Sequence, residues 1–179
     1  MGLEKIKNYF DPKSILDIGA NVGQFYNEIK SIFPSSYYYL IEGNDSCEVV
    51  LESLNVDYSI CLLSDIEKEV DFYVRKHELR CTGNSIYREN TSFYDDDQIV
   101  IEKKQTKTLS NLLGEKTFDL IKIDVESAEY YCLRSLSKKV ELVDISLKDP
   151  ETFVNAIWYL SIYSGLFRNK LWAVKLLGI

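Results

Sequence analysis

Asp17-Ile18-Gly19-Ala20-Asn21-Val22-Gly23 is the first stretch whose residue types and spacing could do chemistry. Gly19 permits a tight turn and lets a ligand come close to the backbone, because no Cβ stands in the way. Gly23 lets the helix that follows sit tight against the strand, and a helix start presents N–H groups that suit a carboxylate or a phosphate. Glu42 closes the next apolar run and offers the acceptor that the hydroxyls of a ribose need. Asp124-Val125-Glu126-Ser127-Ala128-Glu129 places carboxylates behind another apolar run. Asp124 is the candidate proton acceptor. Glu126 and Glu129, at i and i+3, share one face of a helix. With Asp124 they are a candidate oxygen-ligand set for a divalent cation, or else acids favoured by the helix dipole.

These side chains need elements that deliver them to one place. Residues 14–18 are a short buried strand, and Val22, Phe25, Tyr26, Ile29 and Phe33 recur at helical spacing after it. Residues 37–41 are predicted as the second strand, 45–54 as a helix and 56–63 as the third strand. Residues 70–74 alternate like an edge or hairpin strand, 99–101 form a further strand and 109–113 a short helix. Residues 118–123 are a continuous apolar strand broken only by Asp119 and Lys122, and a helix runs from the acidic motif through Leu133. Pro34 separates a helix from a strand, and Asp149-Pro150 reads as a helix start. Strands alternating with helices, several too apolar for a one-sided sheet, predict a mostly parallel, Rossmann-like α/β sheet covered on both faces. Ligands of such sheets bind at the carboxyl ends of the strands.

At 179 residues the chain makes one domain. Hydrophobic residues at 46% and charged residues at 27% exclude a disordered or fibrous chain. The net charge of −7 argues against nucleic acid as the partner. Cys47, Cys61, Cys81 and Cys132 form no C-x-x-C pair and read as reduced thiols, with Cys61 in a strand and Cys132 in a helix. No basic start leads into an apolar run, and the longest apolar stretch, 156–167, is too short to span a bilayer. The expectation is a cytoplasmic protein.

The cofactor follows from what the first loop lacks. A dinucleotide fingerprint needs G-x-G-x-x-G, and Asn21 and Gln24 occupy the later glycine positions. A nicotinamide-dependent oxidoreductase is therefore disfavoured. S-adenosylmethionine has no pyrophosphate and does not require those glycines; its amino-acid end can be held by the loop backbone and by Asp17.

I-L-D-I-G-A-N-V-G-Q at 15–24, I-E-G-N at 41–44 and F-D-L-I-K-I-D-V-E-S-A-E at 118–129 together resemble the FkbM family of S-adenosylmethionine-dependent methyltransferases. Members show L-D-I-G-A-N-x-G in the first loop, E-P or a similar pair after the second strand, and I-K-x-D-V-E-G-A-E after the fourth. The resemblance covers roughly residues 10–135, and 166–177 look like the closing strand pair. It implies a class I methyltransferase fold with a closing antiparallel strand, over one domain of residues 1–179 with an N-terminal helix at 1–10. It also implies bound S-adenosylmethionine and methyl transfer to a hydroxyl of a sugar, glycan or secondary metabolite. Asp17, Gly19, Ala20, Asn21 and Gly23 carry over as the cofactor loop, Glu42 with Asn44 as the ribose side, and Asp124, Glu126 and Glu129 as the acidic motif beside the transferring methyl. Ser85 and Tyr87, in Asn84-Ser85-Ile86-Tyr87, fall in a segment similar to one that approaches cofactor or acceptor. Ser127 stands where a glycine is usual, and residues 135–164 are short and divergent. Those departures motivate the alternative, a catalytically inactive methyltransferase-like interaction module.

The rest reads more plainly. His77, the single histidine, and Asp95-Asp96-Asp97 are expected at the surface. Trp158, Tyr159, Tyr163, Phe167 and Trp172 are expected in the core or in a homo-oligomer contact.

Overall fold

The computed structural model describes residues 7, 11–78, 80, 82–88, 92–126, 128–135 and, as backbone, 142–145. The elements run β1 (Ser14–Ile18), α1 (Gln24–Ile32), β2 (Tyr37–Glu42), α2 (Glu48–Ser53), β3 (Asp57–Ile60), β4 (Leu62–Leu63), β5 (Glu69–Arg75), β6 (Ile99–Lys107), α3 (Leu109–Leu113), β7 (Leu120–Ile123), α4 (Glu129–Arg134) and β8 (Leu142–Ile145). A five-stranded sheet has the order β3-β2-β1-β7-β8, every pair parallel. The strand order reverses between β1 and β7, which opens a crevice at the carboxyl end of β1.

Side-chain alternation assigns the two faces. Leu16, Ile18, Tyr39, Ile41, Ile121 and Ile123 pack with α3 and α4 residues Leu109, Leu113, Cys132 and Leu133. Ile15, Tyr38, Leu40 and Leu120 pack on the other face with Tyr26, Ile29 and Ile32 of α1 and Leu51 of α2. Burial on both faces is why β1, β2 and β7 read as apolar runs, interrupted inside β1 by Asp17 and inside β7 by Lys122. Asp17 and Lys122 alternate onto the α1 face, and the β1–β7 register sets them side by side.

The predicted strand 56–63 is two strands. β3 pairs with β2, the chain breaks at Cys61, and β4 leaves to pair with β6 in a separate three-stranded group, order β4-β6-β5. Cys61 thus lies between strands, with its N–H donated to the Glu42 carbonyl at 2.7 Å. The predicted 99–101 strand extends to Lys107, and β5 pairs antiparallel with its residues 99–105. The helix predicted behind the acidic motif, α4, begins at Glu129 rather than directly behind Asp124, because Glu126 takes a left-handed φ of 49°. The stretch predicted as a helix over 45–54 opens with a 3₁₀ turn, Asp45–Cys47, before α2. The expected N-terminal helix, the aromatic 156–167 stretch, Pro150 and the closing strand pair lie outside the described residues, as do Ser127 and Cys81. No helix among the described residues is long and apolar enough to cross a membrane.

Candidate active site

The turn after β1 is shaped by three residues with positive φ: Gly19 (77°), Asn21 (49°) and Gly23 (81°). A Cβ on Gly19 would stand 1.8 Å from the Asp124 carbonyl oxygen, so only glycine lets β1 and β7 close at this point. The N–H groups of Gly19 and Ala20 both donate to the Ile41 carbonyl, at 2.9 and 3.0 Å. Asn21 tolerates the left-handed region because its side chain bonds locally: Oδ1 accepts the Val22 N–H at 2.8 Å. Gly23 is the N-cap of α1, and no side chain caps the helix there. A Cβ on Gly23 would meet Leu54 Cδ1 at 2.5 Å. The glycine therefore serves close packing against Leu54 and Leu51 at the end of α2, rather than against the strand as expected.

Glu42 faces the turn. Its Oε2 accepts the Asn21 N–H at 2.8 Å and its Oε1 accepts the Asn44 N–H at 2.9 Å. A carboxylate has about four lone-pair sites, so its bonds to backbone N–H groups leave acceptor capacity for a hydroxyl. Burial pushes Glu42 above the ordinary carboxyl range, against the lowering effect of the Asn21, Asn44 and Gly43 N–H groups and of Lys122. Asn44 acts one step back from the cavity. Besides its N–H bond to Glu42, its Oδ1 accepts from Ser46 N and Ser46 Oγ and caps the 3₁₀ turn.

Beneath the turn, Asp17 is 1% exposed, and its Oδ1 lies 3.0 Å from Lys122 Nζ. The contact is ionic rather than a well-directed hydrogen bond, and Asp17 Oδ2 takes no hydrogen bond from the described residues. Burial raises the Asp17 carboxyl, and Lys122 only partly offsets it. Lys122 Nζ donates to the Gly19 carbonyl at 2.8 Å and stands 3.8 Å from Asp124 Oδ2. Asp124 itself is partly exposed at the mouth of β7.

These groups meet in one cavity of about 350 Å³, within the range of about 300–1,000 Å³ usual for small-molecule sites. Of the expected site residues, Gly19, Ala20, Asn21, Glu42, Ser85, Asp124 and Glu126 line it. Asp17, Gly23, Asn44, Tyr87 and Glu129 do not. Glu129 is buried, and its Oε1 accepts the Val125 N–H at 3.1 Å, bracing the turn that carries Glu126. No three His, Cys, Asp or Glu among the described residues converge to hold a metal ion, so Asp124, Glu126 and Glu129 do not form the cation set that their spacing suggested. Tyr87 turns outward and stacks on Tyr131, ring centroids 6.3 Å apart. His77 is exposed, as expected.

Sequence reasoning missed Lys122, Gln24, Phe25 and Glu28, and with them the wall made by Leu62, Phe72 and Thr82. Lys122 had a signal, a lone lysine inside an apolar strand. The others had none, because α1 residues and hairpin residues reach the cavity only through tertiary packing. Ser85 closes the hairpin side: it bridges to Tyr73, and its Oγ donates to the Glu126 carbonyl at 3.0 Å.

A parallel sheet with this strand order, a glycine turn after β1 and a carboxylate ending β2 is a Rossmann-like α/β fold of the methyltransferase type. The family model for the methyltransferase FkbM domain matches residues 17–163, so the chain belongs to the FkbM methyltransferase family. The match runs past residue 135, where the motif resemblance fades. No curated protein and no solved structure matches the chain.

Proposed function

We propose that this methyltransferase uses S-adenosylmethionine to methylate a hydroxyl of a sugar, glycan or secondary metabolite. The observation that carries the reading is the convergence of the Gly19 turn, Glu42 and Asp124 on a single cavity. The fit is chemical as well as spatial. The backbone of Gly19, Ala20 and Asn21 lines the cavity, and Glu42 keeps lone pairs for a ribose. Asp17 lies beneath the turn, outside the cavity, and supports the loop through its contact with Lys122. Gly19, Ala20, Asn21 and Gly23 hold the cofactor loop, and Asn44 fixes Glu42 from behind. Bound S-adenosylmethionine supplies a methyl group already activated on a sulfonium.

The protein's share is then to orient an acceptor oxygen and take its proton. Asp124, at the mouth of the cavity, is the base; Ser85 and Glu126 lie on the acceptor side, with Tyr87 and Glu129 supporting that wall. Loss of a positioned base lowers rates by about 10²–10⁴-fold. Methyl transfer to a panel of hydroxylated acceptors by wild type, falling by that factor in Asp124→Ala with cofactor affinity nearly unchanged, is the expected result. Equal rates in both proteins contradict the role of Asp124. Cofactor binding with no transfer to any acceptor favours the inactive interaction module instead.

A further inference from the structure

We propose that Lys122 is a positioning residue for the ligand turn: its ammonium fixes the Gly19 carbonyl and so the direction in which residues 19–21 present their backbone to the cavity. The inference rests on the cofactor reading above and adds a residue to it. Leu120, Ile121 and Ile123 of the same strand are buried and apolar. A lysine among them loses hydration and rotamer freedom, so its partners must compensate.

One partner is ordinary. Asp17 sits beside Lys122 in the β1–β7 register, and an ammonium there neutralises a buried carboxylate. A pair doing only that could be replaced by apolar side chains without harm. The second partner is what neutralisation does not explain. Lys122 Nζ makes its shorter contact, 2.8 Å, with the Gly19 carbonyl, and that contact meets hydrogen-bond geometry where the Asp17 contact does not. The turn is thereby gripped from both sides. Its N–H groups at 19 and 20 are fixed by the Ile41 carbonyl of β2, and its carbonyl at 19 by Lys122 of β7. The same ammonium stands within ion-pair reach of Asp124 Oδ2 and lines the cavity, so one side chain ties the turn to the carboxylate across from it.

The test is a double-mutant cycle read by calorimetric titration with S-adenosylhomocysteine and by thermal unfolding of the ligand-free proteins: wild type, Asp17→Asn, Lys122→Met and the double variant. Lys122→Met is expected to weaken binding about tenfold or more in both backgrounds, the scale of a charge-assisted hydrogen bond. The double variant buries no unpaired charge, so it should unfold no lower than Asp17→Asn while binding less well. That split between stability and affinity is one a merely structural lysine would not produce. Equal affinity of Asp17→Asn and the double variant overturns the proposal, because Lys122 would then act only by neutralising Asp17. Where Asp17→Asn binds too weakly to measure, wild-type affinity in Lys122→Met overturns it equally. No heat from wild type with either S-adenosylhomocysteine or S-adenosylmethionine sinks the cofactor reading itself, and this inference with it.

Discussion

The two walls of the cavity are built in different ways. On the sheet side the positions are set by backbone: parallel register, the Gly19 turn pressed on Asp124, and amide bonds that run to the Ile41 carbonyl and the Glu42 carboxylate. On the hairpin side, beyond the β5–β6 ladder and the Tyr73–Ser85 backbone bridge, they are set by side chains reaching carbonyls or amides. Ser85 Oγ donates to Glu126, Tyr94 OH to the Gly83 carbonyl at 2.7 Å, and Arg88 to the Tyr94 carbonyl at 2.9 Å. Arg80 Nε donates to the Ser46 carbonyl, and Asn21 Nδ2 to the Arg80 carbonyl. A wall made of backbone tolerates almost no change, whereas a wall made of exchangeable side chains can vary without loss of the fold. That division suits a site with one constant ligand and one variable acceptor.

The contrast can be broken most severely at Gly19. Gly19→Ala forces a Cβ against backbone at a positive φ, and the expected loss is about 3 kcal/mol or more of stability. Urea unfolding measures it; a variant as stable as wild type would show that the sheet wall is not backbone-limited.

A smaller effect is expected from pH. Asp17 and Glu42 are both raised, so the folded chain holds more proton on them than the unfolded chain does. Stability linked to them is full below the ordinary carboxyl value and declines as pH rises from about 4 through their raised values. The Tm of wild type minus that of Glu42→Gln should therefore fall with rising pH. A difference that grows with pH contradicts the assignment of burial as the cause.

The smallest effect belongs to the hairpin wall. Ser85→Ala removes the hydroxyl's bond to the Glu126 carbonyl and the acceptor of the Tyr87 N–H, about 1 kcal/mol each, and should raise acceptor KM a few-fold with cofactor affinity unchanged. A larger change in cofactor affinity than in acceptor KM would erase the distinction between the walls.

How much of this was legible follows the same division. β1, β2 and β7 announce themselves because strands buried on both faces are mostly apolar, and the glycine turn because its conformation restricts residue type. Glu42 and Asp124 are legible as carboxylates that end such strands. The far part of β6, Glu102 to Lys107, is charged and polar and carries no apolar strand signal. Its pairing is held by β5 across the hairpin and by ties such as Lys104 to Asp45 and to the Gly43 carbonyl. The break at Cys61 was hidden because one apolar run supplies two sheets in turn. Glu129 has the residue type of a ligand but spends an oxygen on the Val125 N–H, a partnership set by the left-handed φ at Glu126. Lys122 looked like an interruption until the register placed it against Asp17.

The central claim is that the Gly19 turn and Glu42 together form a cleft for an adenosine-bearing cofactor. Calorimetric titration of wild type with S-adenosylhomocysteine should give saturable binding in the micromolar range, weakened about a hundredfold or more in Glu42→Ala, which loses charged acceptors for the ribose. Absence of heat with wild type, or equal affinity in Glu42→Ala, would contradict it.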